Sequence, residues 1–204
     1  MREILLIGAF HEMIELCEDA GFRIKGIIDN NIEGEYMGYP IIGKDKDAEK
    51  LYEDYSQCAV VIAPDEPHIR KELVALYQSI GFGFVTVIHP KATISRSAKV
   101  GEGTVIQQGV NISANTTVGC FCKLNTNCNV MHDNMVSDFV TIAPDAVLLG
   151  YVNVGKLSYI GANSTILPKC KIGDMVMVGA GAVVTKDVDN SLVVLGVPAR
   201  TLTK

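Results

Sequence analysis

From Ile88 onward an aliphatic residue recurs at every sixth position without a gap, through Ile94, Val100 and Ile106 to Ile172, Val178 and Val184, seventeen positions in all. Two residues before each rung the side chain is Ala, Ser, Thr, Cys or Val in sixteen of the seventeen cases, Asn134 being the exception. One residue after the rung, glycine appears six times, as at Gly155, Gly161, Gly173 and Gly179. A period of six matches neither an isolated helix nor a simple alternating strand. It matches a short strand, a turn and another short strand, three such units closing one coil of a solenoid. Equivalent residues of successive coils then stack at the inter-strand spacing of about 4.8 Å. The aliphatic residue fills the interior of the prism, and the small residue two before it sits where room is limited.

The first part of the chain has a different rhythm. "EILLIGA" is an apolar run ending at Gly8, hence a buried strand and turn, and "FHEMIELCEDAG" sets Phe10, Met13, Ile14 and Cys17 at helical spacing before Gly21. "IKGIIDN" and "CAVVIAP" read as further strands, and "EPHIRKELVALYQSIG" as a further helix. Strand–helix–strand alternation predicts a small parallel, Rossmann-like sheet with right-handed crossovers. Ligands of such sheets bind outside the carboxyl ends of the strands, here near Ala9–His11, Asp29–Asn30 and Ala63–Asp65. The expected organisation is an α/β unit over 1–85 and an all-β solenoid over 86–204.

Charge divides along the same line. Residues 1–85 carry 8 Lys/Arg against 16 Asp/Glu, and residues 86–204 carry 10 against 7. The acidic part is a poor nucleic-acid surface, and no basic stripe with aromatics occurs. The basic part suits a small polyanion better. Glu12 and Glu15 interrupt the N-terminal apolar stretch, so neither a signal peptide nor a membrane span is expected, and a cytoplasmic location follows as the default. The six cysteines show no zinc-ligand spacing. Cys122, Cys128 and Cys170 occupy the small inward position, so reduced structural thiols and no metal are expected.

The rungs, together with the tail "MVMVGAGAVVTKDVDNSLVVLGVPARTL", resemble the hexapeptide-repeat acyltransferases. The strand–helix start, "IHPKATIS" at the junction and "LNTNCNVMHD" resemble one subgroup of them more narrowly. It comprises the sialic-acid O-acetyltransferase-like proteins and the nucleotide-amino-sugar N-acetyltransferases that include those making UDP-N-acetylbacillosamine. The resemblance, not the period, implies a left-handed parallel β-helix, acetyl-CoA as co-substrate, and a homotrimer with acetyl-CoA in the groove between neighbouring β-helices.

Residue by residue, the resemblance implies that His132 is a general base with Asp133 beside it. An acceptor amine or hydroxyl must lose a proton as it attacks a thioester, and an adjacent carboxylate orients the imidazole. It assigns the oxyanion donor to the backbone N–H of Gly150, one coil after His132, and an active-site asparagine to Asn125. CoA contacts map to Ala162 and Ala180 beside Gly161 and Gly179, with Lys186 and Arg200 near the phosphates. Thr141 stands where the subgroup often has a second histidine facing the acetyl group, and its hydroxyl is the donor expected there towards the co-substrate. Ala9, His11, Asp29, Asn30 and Asp65 fall on the acceptor-binding loops. The first loop, "GAFHEM", is less glycine-rich than in the family, and Glu12, Asp65 and Glu66 bring negative charge to the place of a diphosphate. The residues therefore leave three acceptors open: the amine of a nucleotide-linked amino sugar, a sugar hydroxyl, and a small free acceptor. A non-catalytic β-helix scaffold is the reading from another class. His89 at the junction and His68 on a helix read as structural and surface residues.

Overall fold

Each of the seventeen rungs closes a two-residue strand, from Val87–Ile88 to Val183–Val184, so the six-residue period is the strand repeat itself. The computed structural model describes residues 2–202; Met1, Thr203 and Lys204, at the outer ends of the two expected segments, lie outside the described residues. Successive coils pair in parallel, rung on rung, as in Asn111 with Asn129 and Ile112 with Val130. Three flat faces result. The first runs through the strands at Val87, Val105, Lys123, Thr141, Tyr159 and Met177, the second through Thr93, Asn111, Asn129, Val147, Thr165 and Val183, and the third through Lys99, Thr117, Met135, Asn153 and Lys171. The fold is a left-handed parallel β-helix behind a small α/β unit.

Rungs from Ile106 to Val184 are buried, whereas Ile88, Ile94 and Val100 are partly open because no coil lies beneath them. Three residues after each rung the chain turns in the left-handed region, from Gly103 (φ 67°) to Gly181 (φ 67°) at every sixth position. Phe121, Phe139, Tyr151 and Leu157 adopt this conformation as well, although a Cβ makes it cost about 1–2 kcal/mol. The backbone ladders above and below hold them there. Glycine after a rung answers a different need: at Gly155 a Cβ would stand 2.5 Å from the Gly173 carbonyl carbon of the next coil.

Inside the corners, polar rungs of the small-residue ladder tie one coil to the next. Thr104 donates to the Gly119 carbonyl and accepts from the Cys122 N–H; Ser158 does the same with Gly173 and Val176. Such ties satisfy backbone groups that would otherwise be buried unpaired.

The α/β unit holds β1 (Glu3–Ile7), α1 (His11–Asp19), β2 (Arg23–Ile28), β3 (Glu35–Tyr36), β4 (Tyr39–Gly43), α2 (Ala48–Tyr55), β5 (Ala59–Ile62) and α3 (Pro67–Ile80). Its sheet order is β3-β4-β2-β1-β5, parallel except for the β3–β4 hairpin. That hairpin and α2 carry no strong periodic signal and were not expected from the sequence. Helix α3 starts on Pro67 with the Glu66 side chain accepting from the Ile69 N–H, and stops at Gly81 (φ 110°). The unit docks on the first face of the prism, where Val85, Val87 and Val105 join Leu16, Ile4 and Val61 in one buried cluster.

Candidate active site

Docking on the first face buries side chains that elsewhere on the prism point to solvent. Arg70, from α3, is 1 % exposed, and all five of its N–H donors are used. Nε donates to the Phe121 carbonyl, Nη1 to the carbonyls of Pro64 and Asp65, and Nη2 to the Phe139 carbonyl and Thr141 Oγ1. Burial presses its pKa down to about 10, and it stays charged at neutral pH. Lys123, 1 % exposed, donates to the Ala63 carbonyl and pairs with Asp65 at 3.0 Å. Burial lowers its pKa, and the neighbouring Asp65 carboxylate opposes that shift. Asn125 Nδ2 also reaches Asp65, at 3.2 Å. Neither Arg70 nor Lys123 stood out in the sequence; the one available signal was a lysine in the outward row whose earlier members are Val87 and Val105.

The edge between the second and third faces lies opposite this junction and carries His132. Its imidazole is half exposed, with Nδ1 2.8 Å from Asp133 Oδ2. A carboxylate only accepts, so Nδ1 is the donor of this bond, and Nε2 has no partner among the described residues. The Asp133 carboxyl is held below the usual carboxylate range, first by the hydrogen bond from His132, with Asn115 Nδ2 at 3.4 Å contributing. Tyr151 meets the imidazole edge-on, ring centroids 5.4 Å apart. Gly150 lies against the ring: a Cβ there would stand 2.7 Å from His132 Cε1 and 2.9 Å from Nε2. The Gly150 carbonyl accepts from the Lys169 N–H, while its own N–H has no acceptor among the described residues. Three of the four residues implied for catalysis, His132, Asp133 and Gly150, are thus assembled in one place, while Asn125 lies at the junction beside Asp65.

The remaining residues gather elsewhere. Gly161, Ala162, Gly179 and Ala180 line one groove of about 510 Å³ with Tyr159, Met177 and the Asp65–His68 segment. Lys186 and Arg200 share a separate cleft at the last coil. Thr141 requires a correction: it is fully buried, its hydroxyl donates to the Asp65 carbonyl and accepts from Arg70, and no donor remains for an acetyl group.

On the acceptor side, Ala9, Asp29 and Asp65 do border one pocket at the carboxyl ends of β1, β2 and β5, with Lys123 and Phe10. The Ala9 N–H is not free, because Asp29 Oδ2 accepts it at 2.8 Å while Oδ1 accepts from Asn31 and Ile32. Burial works to raise the Asp29 pKa, but these three backbone donors outweigh it and hold the carboxyl below its ordinary value. Asn30 is engaged with Asp45, and His11, exposed at the start of α1, packs against Phe10. His89 is buried and bonded to Asp19 at 3.0 Å, joining α1 to the first face. No helix among the described residues is long and apolar enough to cross a membrane.

Two family descriptions match the chain: the PglD N-terminal domain over 6–76 and the bacterial transferase hexapeptide (six repeats) over 151–186. GDP-perosamine N-acetyltransferase of Escherichia coli O157:H7 is 35% identical over 107 residues, 52% of this chain and 48% of that protein. The match spans about half the length of that curated relative. Among solved structures, the acetyltransferase domain of PglB from Neisseria gonorrhoeae FA1090 is 30% identical with a TM-score of 0.92, covering 99% of this chain and 100% of that one. A histidine-to-alanine variant of GDP-perosamine N-acetyltransferase from Caulobacter crescentus, in complex with CoA and GDP-perosamine, is 28% identical. Its TM-score is 0.95, covering 100% of this chain and 98% of that one.

Proposed function

The chain belongs to the hexapeptide-repeat acyltransferases that carry a PglD-type N-terminal domain, and on that premise we propose that it acetylates the amino group of a nucleotide-linked amino sugar. The observation that carries the reading is the pairing of the His132 imidazole with Asp133 on one side and Gly150 on the other. The relatives that act on, or hold, GDP-perosamine support the acceptor class.

In this reading the neutral acceptor amine attacks the thioester carbonyl of acetyl-CoA, and a C–N bond forms as His132 Nε2 takes the amine proton. The carbonyl oxygen becomes an oxyanion facing the Gly150 N–H, a donor with nothing else to bind. Asp133 accepts from Nδ1 throughout and favours the imidazolium that forms. Collapse of the tetrahedral adduct breaks the C–S bond, and the imidazolium returns its proton to the leaving thiolate. No covalent enzyme intermediate is required.

The base and the pocket at the sheet's carboxyl ends lie on opposite sides of one prism, which supports a site completed between copies of the chain. A homotrimer is the assembly the family implies, with CoA along the groove at Gly161, Ala162, Gly179 and Ala180. A small non-nucleotide acceptor is favoured by one observation, the capture of the Ala9 N–H by Asp29, which leaves that loop one fewer donor for a phosphate. Turnover of acetyl-CoA with GDP-, UDP- and dTDP-linked amino sugars, read as free thiol and as acetylated product by mass, tests the proposal. Turnover with free amino sugars alone moves the assignment to the smaller acceptor, and failure to bind either CoA or acetyl-CoA sinks the enzyme reading.

A further inference from the structure

The edge that carries His132 has its own interior column, one residue from each coil: Ala98, Thr116, Asn134, Val152 and Cys170. Only two of these side chains tie one coil to the next, and they do so in the two coils that matter. Thr116 Oγ1 donates to the Met131 carbonyl at 2.7 Å and accepts from the Asn134 N–H at 3.4 Å. Those two groups bracket His132 and Asp133. Asn134, fully buried, accepts from the Val152 N–H at 2.6 Å through Oδ1 and donates to the Leu148 carbonyl at 3.3 Å through Nδ2. Those two groups bracket Leu149, Gly150 and Tyr151. Since one partner is a donor and the other an acceptor, only this orientation of the amide satisfies both.

We propose that Thr116 and Asn134 act as an internal clamp that sets the Gly150 N–H against the His132 imidazole, and that they are positioning residues for the transfer. The inference rests on the assignment of His132 and Gly150 above. Asn134 is the one departure from the small-residue ladder, and its extra length explains why. A hydroxyl rung grips the carbonyl fifteen residues on, as Thr104, Thr116 and Ser158 do. Asn134 reaches Leu148 instead, fourteen residues on. The Leu149–Gly150 peptide is thereby held at its flanks, and its own N–H, like those of Ala114, His132 and Ala162 at the same corner position, has no acceptor among the described residues. Leu148 O also accepts from Met131 N at 2.9 Å, so one carbonyl joins the start of the His132 corner to the start of the Gly150 corner. A rigid double tie of this kind suits a site in which a misplacement of about 1 Å costs on the order of 100-fold in rate.

Asn134→Val and Thr116→Val test the clamp, since valine already fills this rung at Val110, Val140 and Val152. Thr104→Val is the matched control: it removes the same pair of bonds from the corner beside the first face. The clamp predicts a fall in kcat of about tenfold or more for both test variants, with KM for acetyl-CoA within about twofold of native. Thr104→Val keeps native kcat, and Asn134→Thr, which can still accept from the Val152 N–H but is too short for the Leu148 carbonyl, recovers only part of the loss. Equal losses at Thr104 and Asn134, or native kcat in Asn134→Val, overturn the clamp. Should Asn134→Val fail to fold, Asn134→Ala serves, alanine being the occupant at Ala146 and Ala182. Amide exchange at Tyr151, whose N–H donates to the His132 carbonyl, and at Val152 provides an arm independent of activity. It accelerates in Asn134→Val and not in Thr104→Val if the clamp is real, whether or not the native protein turns over amino sugars, and unchanged exchange overturns it.

Discussion

The first face and the edge opposite it are built from the same six-residue unit, yet they have opposite chemistry. At the first face the buried cations are engaged: Arg70 spends five donors on five acceptors, and the Lys123 ammonium meets Asp65 and the Ala63 carbonyl. At the opposite edge His132 keeps an open Nε2 and Gly150 an unused N–H. Buried polar groups must be satisfied, and satisfied groups have nothing left for a substrate. The difference teaches that cover by the α/β unit, not the local repeat, sorts structural polarity from reactive polarity.

The sharpest way to break this comparison is to exchange the losses. Arg70→Met strands the carbonyls of Phe121, Phe139 and Pro64, while Asp65 keeps the bond from Thr141, and is expected to cost about 4 kcal/mol of stability, given about 1–3 kcal/mol per unsatisfied buried group. Denaturant unfolding checks it, and a loss under 1 kcal/mol would mean that the junction does not depend on this residue. His132→Ala should leave unfolding unchanged and lower kcat by about 1,000-fold, within the general-base range. Steady-state kinetics beside a binding assay for CoA distinguishes lost chemistry from lost affinity.

Gly150→Ala comes next, at about 100-fold in kcat, because its Cβ displaces the imidazole at 2.7 Å while the backbone there is not in the left-handed region. A variant with native kcat would separate Gly150 from the site.

The smallest effect sharpens the other side. Asp65→Ala leaves the Lys123 charge without its carboxylate and is expected to cost about 2 kcal/mol, below the full buried-pair figure because Asp65 is half solvated. Burial holds the Lys123 pKa below its ordinary value in the folded state, so the unfolded chain binds more protons in that window and stability rises with pH there. Removing Asp65, which raises that pKa, deepens the shift and steepens the rise. Thermal unfolding from pH 7 to 10 reads the slope; a fall with rising pH in the variant contradicts the assignment.

Much of this was legible in the residues. The seventeen rungs located the strands from Val87–Ile88 to Val183–Val184, though not Val193–Leu195 and Arg200–Thr201 beyond them, and the alternation before them located β1, α1, β2, β5 and α3. The resemblance carried by the "HD" pair, with the coil-length step to Gly150, brought His132, Asp133 and Gly150 together as candidate site residues. The left-handed corners at Phe121, Phe139 and Tyr151 were not legible, because nothing in an aromatic side chain signals a conformation that stacked ladders impose. Thr141 was misjudged for a related reason: its position in the repeat says that it points outward, not what lies on top of it.

The sequence by itself determined the period, the interior and the edge on which His132 projects, since each follows from residues within one coil of one another. Tertiary structure alone decided which face is covered, which cations are buried there, and that Asn134 grips the Gly150 corner. Those depend on groups as far apart as Arg70 and Thr141, and a local pattern cannot specify what a distant segment will lay against it.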